Sequence, residues 1–278
     1  MTETAGTADR GDSGGDTETG NAELLHVVAD GVATLTINRP ERHNALSWGV
    51  ISGLRTRIAA AKDDPAVRAV VITGAGERAF CAGADLGGMA TDAGYGQIHE
   101  SRGELARLFL DLWELGKPTI AKVRGYCLAG GFGLALACDL VLASDDATFG
   151  TPEIDRGLWP FMITVPLVRS IPPKKALELM MTGRRIDAAE ADRLGVLTRV
   201  VPAADLDVAV AEVAGSLAAK SPSVMRLGRD SFYSVWDQGA AAALAQLHPL
   251  LTVNTGLEDA AEGIGAFLEK RAPNWTGR

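Results

Sequence analysis

Gly125-Tyr126-Cys127-Leu128-Ala129-Gly130-Gly131-Phe132-Gly133-Leu134-Ala135-Leu136-Ala137-Cys138-Asp139 is the stretch whose reading decides the fold. It is preceded by Thr119-Ile120-Ala121-Lys122-Val123 and followed by Leu140-Val141-Leu142-Ala143, two short apolar, β-branched runs of strand character. Between them, residues 125–131 are small enough for a tight turn. Residues 131–138 carry no charge, so a helix there is buried all round. The pattern predicts strand, turn, buried helix, strand.

The same alternation extends in both directions. Leu24-Leu25-His26-Val27-Val28 and residues 32–38 read as a hairpin around Asp30-Gly31, stopped by Asn38-Arg39-Pro40. Ser47 caps a helix through about Lys62 whose stripe is Val50, Ile51, Leu54 and Ile58. Pro65 ends it, and Ala69-Val70-Val71-Ile72 is a buried strand. Residues 87–96 are expected to be mobile. A helix is expected over 97–115 from Leu105, Leu108, Leu112 and Leu115. Beyond Pro160 come helices at 162–170, 173–182 and 188–194 and a short strand at 197–201. A helix face at Leu206, Val210, Val213 and Leu217 follows, then helices near 222–237, 240–253 and 256–270. The class is α/β with a helical C-terminal region: a core over 21–205 and helices over 206–278.

Residues 1–20 hold five acids, Glu3, Asp9, Asp12, Asp16 and Glu18, against Arg10, so −4 of the formal −8 sits in a tail expected to be disordered. They lack the basic-then-apolar order of a secretory signal. No run reaches the roughly 18 apolar residues of a spanning helix. An acidic chain without a dense Lys/Arg cluster is not expected to bind nucleic acid or an anionic membrane. Cys81, Cys127 and Cys138 lack metal-ligand spacing and read as buried reduced thiols, which fits a cytoplasmic location.

Several motifs are decoys. Gly74-Ala75-Gly76-Glu77-Arg78-Ala79 matches G-x-G-x-x-A, but Phe80-Cys81-Ala82-Gly83 follows with no helical stripe, so nicotinamide binding is not expected. There is no phosphate-binding loop, nucleophile elbow or H-E-x-x-H, and His26, His43, His99 and His248 are scattered. Cys127 reads as a packed thiol at a strand end rather than a nucleophile. What remains are two small-residue turns, at 79–86 and 125–131. Such turns let a ligand approach the backbone, and two N–H groups from different strands converging on one oxygen make an oxyanion hole.

Residues 79–86, 125–139 and 149–157, taken in order, resemble the three signature regions of the crotonase (enoyl-CoA hydratase/isomerase) superfamily. The likeness spans roughly 24–275 and includes Asn38-Arg39-Pro40 and Asn44-Ala45-Leu46. It implies a crotonase-like spiral of ββα turns, a C-terminal region over 206–278 that serves site closure and oligomerisation, acyl-CoA thioester substrates, and a homotrimer or homohexamer. By position, it implies that Ala82 and Gly130 donate the oxyanion-hole N–H groups and that Ala82, Gly83, Ala84, Asp85, Leu86 and Gly130 line the substrate. No metal, nicotinamide or flavin is implied, and coenzyme A arrives as part of the substrate.

The family's second catalytic glutamate falls on Glu153, and its first falls on Gly133. Hydrating a 2-enoyl thioester relies on two carboxylates gripping one water, whereas moving a double bond from C3 to C2 needs one base. Isomerisation with Glu153 as sole acid/base is therefore the better physical fit. A 2-enoyl-CoA hydratase would need a substitute carboxylate from Asp92, Glu100, Glu104 or Asp155. A non-catalytic acyl-CoA-binding scaffold is the rival of a different class. Phe149, Ile154, Leu158, Trp159 and Phe161 around Glu153 form an apolar wall expected to raise its pKa, and Phe132 or Trp159 is expected to fill the space beside Gly133.

Overall fold

The computed structural model describes residues 23–85, 87 and 94–278. The tail at 1–20, Leu86, Asp92 and most of the expected mobile stretch lie outside them. The opening hairpin forms as expected: β1 (Leu24–Ala29) and β2 (Val32–Ile37) pair antiparallel, with Ala29 opposite Val32. Helix α1 (Trp48–Asp63) follows, and the Ser47 hydroxyl accepts the Val50 N–H at 3.1 Å.

From there the chain winds as a spiral. β3 (Ala69–Gly74) lies parallel to β2, and β4 (Ala79–Cys81) turns away from it to start a second sheet. Helices α2 (Tyr95–Arg102) and α3 (Glu104–Trp113) lead to β5 (Thr119–Val123), parallel to β3. β6 (Tyr126–Leu128) joins β4, and α4 (Gly130–Ala137) leads back to β7 (Leu140–Ser144), parallel to β5. β8 (Thr148–Gly150) returns to β6. Each turn thus places a long strand in one sheet, a short strand in the other, and a helix between turns.

Helices α5 (Phe161–Ser170) and α6 (Pro173–Thr182), strand β9 (Arg185–Asp187), helix α7 (Ala188–Leu194) and strand β10 (Arg199–Val201) complete the two sheets. Their orders are β1-β2-β3-β5-β7-β10 and β4-β6-β8-β9. The G-x-G-x-x-A run connects β3 to β4 rather than opening a helix, so it cannot make a dinucleotide site. The helix expected over 97–115 is two helices, broken at Gly103.

The strands of the larger sheet are apolar on both faces because both are covered. Val70 and Ile72 face the main core, whereas Val71, Ile120 and Leu142 face Leu206, Ala209, Val210 and Ala214 of α8 (Leu206–Ala218). Helix α9 (Pro222–Val235) is tied to the spiral by buried Arg229. Its guanidinium donates to the Leu112 and Trp113 carbonyls at 2.6 and 2.9 Å and pairs with Asp139 at 2.8 Å. Tyr233 donates to the same carboxylate. Helices α10 (Ala240–Thr255) and α11 (Glu258–Glu269) complete the C-terminal region. No helix among the described residues is long and apolar enough to cross a membrane.

Candidate active site

The turn after β4, the start of α4 and the segment after β8 meet around one cavity of about 740 Å³, whose walls include Ala84, Leu128, Gly130, Glu153, Trp159 and Ile163. The first two are pressed together. A β-carbon on Gly83, where φ is +105°, would stand 2.6 Å from the Ala129 Cβ and 3.4 Å from the Gly130 nitrogen, so only glycine allows this approach. Ala129 sits at φ +51° and ψ −130°, a conformation rare for a residue with a side chain, held by its own N–H donating to Gly150 at 2.9 Å. The chain then enters α4 with Gly130 as its first residue, whose N–H has no partner within the helix. A helix N-terminus favours negative charge.

The Ala82 N–H, expected to be an oxyanion donor, is already engaged. It donates to the His43 carbonyl at 3.0 Å and is unavailable to a ligand. Residues 43–46 run alongside residues 82–85: the Leu46 N–H donates to Gly83 and the Asp85 N–H to Leu46, at 2.8 and 2.9 Å. Alternate N–H groups of an extended chain point to opposite sides, so the Ala84 N–H faces away from Leu46. No hydrogen bond holds it among the described residues, and its nitrogen lies 3.8 Å from where a Gly130 β-carbon would stand. The left-handed φ at Gly83 separates the roles of 82 and 84, and the sequence carries no sign of which parity results.

Of the expected substrate-binding run, Ala82 and Ala84 reach the cavity wall and Gly83 packs behind it. Asp85 is buried and its carboxylate pairs with Arg39 at 2.7 Å, so it braces the turn from behind. Arg39 also donates to the Ala45 carbonyl at 2.8 Å. Fully buried Asn44 donates to Ala75 and Ala79 at 2.9 and 2.7 Å and accepts the Arg39 N–H at 3.0 Å. These are the jobs of Asn38-Arg39-Pro40 and Asn44-Ala45-Leu46: they hold the β4 turn against the rest of the spiral.

Glu153 lies on a 3-10 turn (Pro152–Arg156) and lines the cavity. Its Oε2 is buried without a hydrogen-bond partner. Desolvation raises its pKa above the ordinary carboxylate value, opposed in part by a hydrogen bond to its own backbone and by the charge of Arg156. It is the one carboxylate on the cavity wall among the described residues. The alternatives are elsewhere: Glu100 pairs with Arg107 at 2.7 Å, Glu104 bridges Arg55 and Arg107, and Asp155 is not on the wall. Gly133 lies inside α4, and Phe109 and Ile163 close on it, with Trp159 not among its nearest neighbours. Cys81, Cys127 and Cys138 are buried, free thiols whose pKa values burial pushes up, Cys81 to about 12.

Residues 28–278 match the family model described as Enoyl-CoA hydratase/isomerase. A Mycobacterium bovis protein named "Probable enoyl-CoA hydratase echA8" is 38% identical over 252 residues, covering 89% of this chain and 95% of that protein. The 2,3-dehydroadipyl-CoA hydratase of Escherichia coli K12 is 36% identical over 92% of this chain and 100% of its own length. The crystal structure of an enoyl-CoA hydratase from Mycobacterium smegmatis superposes with a TM-score of 0.88 at 34% identity, covering 92% of this chain and 99% of that one. The chain belongs to the enoyl-CoA hydratase/isomerase family of enzymes, and its ββα spiral is the crotonase fold.

Proposed function

We propose that this enzyme moves the double bond of an enoyl-CoA thioester, with Glu153 as its only acid/base. The thioester oxygen is received by the N–H groups of Ala84 and Gly130. The Glu153 carboxylate takes a proton from C2 of a 3-enoyl thioester, and the electron pair passes through C2–C3–C4 to leave a dienolate held by the two donors. Protonated Glu153 then returns the proton to C4, leaving the double bond at C2–C3. A single oxyanion donor contributes about 3 kcal/mol to such a step, and a raised carboxyl pKa suits a base that must give its proton back. Coenzyme A enters as part of the substrate, and the scheme uses no separate cofactor.

The observation that carries this reading is the filled space beside Gly133. Phe109 and Ile163 close on the position from which a hydratase's other glutamate would project, and no other described carboxylate replaces it. The relatives' hydratase names set the competing outcome, a water added across C2–C3. Incubation with 2-enoyl and 3-enoyl thioesters, followed by mass spectrometry, separates the two: isomerisation leaves the mass unchanged and hydration adds one water. A water-adduct product from the 2-enoyl substrate, with no bond migration, would overturn the proposal.

We further propose a homotrimer or a dimer of trimers, working in the cytoplasm. Supporting it, Ile264, Phe267 and Leu268 of α11 are 61%, 82% and 73% exposed beside a groove of about 990 Å³, an apolar patch of the kind that subunits cover. Light scattering at micromolar concentration should give three or six chains, and a monomer would remove the assembly.

A further inference from the structure

Positive charge dominates the cavity wall. Arg102, Arg156 and Arg185, all three exposed, line it against the single carboxylate of Glu153, and none of them forms an ion pair among the described residues. Elsewhere Arg39, Arg55, Arg107, Arg184 and Arg229 hold carboxylates, while exposed Arg42, Arg78 and Arg199 are unpaired among the described residues but scattered rather than gathered on one cavity. In a chain of formal charge −8, three unpaired guanidinium groups on one cavity point to an anionic ligand.

Arg156 is set apart from the other two by its place. It lies three residues beyond Glu153 on the same 3-10 turn, and at three residues per turn the two side chains eclipse each other. Its charge is felt at the Glu153 carboxyl. One Nη1 hydrogen bond to the Pro152 carbonyl, at 3.2 Å, holds the guanidinium. Its other donors are free among the described residues. By contrast, the Arg185 guanidinium lies 5.4 Å over the exposed Tyr126 ring.

We propose that Arg156 binds a carboxylate at the far end of the acyl chain, so that the preferred substrates are thioesters of short dicarboxylic acids. The inference rests on the acyl-thioester reading above. The wall around Glu153 is otherwise apolar, with Leu158, Trp159, Phe161 and Ile163. A hydrocarbon chain lying there would strip water from the guanidinium and return nothing. A second carboxylate replaces that water with a bidentate, charge-assisted pair. The phosphates of coenzyme A are the other anions within the substrate, but the whole pantetheine arm separates them from the thioester that Glu153 serves.

Titration calorimetry with glutaryl- and pentanoyl-pantetheine tests this, since both are saturated and lack the coenzyme's phosphates. The wild-type protein should bind the glutaryl thioester more tightly. Arg156→Met, with its fold confirmed by circular dichroism, should lower the glutaryl-to-pentanoyl affinity ratio about tenfold, the low end for a charged hydrogen bond. Arg156→Lys should retain part of the preference. Equal wild-type binding of the two thioesters would overturn the proposal. So would an equal loss for both in Arg156→Met. An Arg156 that only tempers Glu153 would shift the pH profile of turnover and leave the affinity ratio alone, which also refutes the proposal. These analogues do not react, so a wrong assignment of the reaction shows separately, as wild-type protein that binds thioesters but turns over no enoyl substrate. Failure to bind either ester overturns both readings.

Discussion

A β-carbon on Gly133 would stand 2.9 Å from the Phe109 ring, so α3 occupies the space that a catalytic side chain on α4 would need. Ile163, opening α5 just beyond the Glu153 segment, closes the same space at 3.0 Å. Both side chains are 3% exposed. The glycine at 133 is built into the packing of α3, α4 and α5.

Gly133→Glu should therefore destabilise the protein rather than create a hydratase. Overpacking of this kind costs about 1–3 kcal/mol, before the burial of a carboxylate is counted. A melting temperature lowered by several degrees and no gain in water addition are expected. Adding Phe109→Ala should recover part of the stability by opening space. Water addition by a Gly133→Glu protein of unaltered melting temperature would contradict this.

Glu153→Gln should reduce turnover by roughly a hundredfold or more, the usual scale for a general base, while leaving thioester binding largely intact. In the wild-type enzyme the base must be ionised. Burial raises its pKa, so the acidic limb of the rate profile should fall off at a pH above the ordinary carboxylate range. A limb at or below that range would mean that Glu153 is more hydrated in solution than its buried Oε2 implies.

The same raised pKa has a consequence for stability. In the folded protein the neutral form of Glu153 is favoured, so its contribution is fully present below the unfolded-state pKa and is lost as pH rises through the folded-state value. Glu153→Gln should thus melt higher than wild type at neutral pH, with the gap closing as the solution is acidified. Parallel thermal melts across that range check the sign, and a variant that melts lower at neutral pH would reverse it.

Asn44→Ala should cost both stability and turnover. Its fully buried amide makes three hydrogen bonds that hold residues 39, 75 and 79 together beneath the Ala84 turn. Removing it leaves buried carbonyls unsatisfied, at about 1–3 kcal/mol each. Turnover should fall further than the loss of folded protein explains, because the donor turn loosens. Urea titration beside steady-state rates separates the two losses.

The long elements were legible because their patterns are long: the Ser47-capped helix α1, the buried strand β3 and helices α6 and α7 stand where the spacing predicts them. The second sheet was not. β4, β6, β8 and β9 are three residues each, too short for an alternation to show, and two of them sit in runs that read as turns. Gly103 breaks a helix that Leu105, Leu108 and Leu112 made look continuous. At the site, Glu153 and Gly130 were visible as motif positions. The donor proposed at Ala84 rather than Ala82 depends on the backbone angle of Gly83 and on pairing with residues 43–46, neither of which leaves a local trace.

Gly130→Ala tests the oxyanion hole without disturbing the fold. Gly130 is the first residue of α4 and is absent from the glycines with positive φ, so alanine fits its backbone. The added methyl would meet Leu46 at 3.5 Å and Leu105 at 3.6 Å, ordinary van der Waals contacts, so the melting temperature should be nearly unchanged. That methyl would also stand 3.8 Å from the Ala84 nitrogen, close enough to crowd an oxygen held by the two proposed donors. It keeps the Gly130 N–H but obstructs the approach to it. Turnover should fall by about a hundredfold or more, the scale of losing one donor, with the fold intact by circular dichroism. Full turnover in Gly130→Ala would mean that the oxygen is held elsewhere, and the roles proposed for Ala84 and Gly130 would both fall.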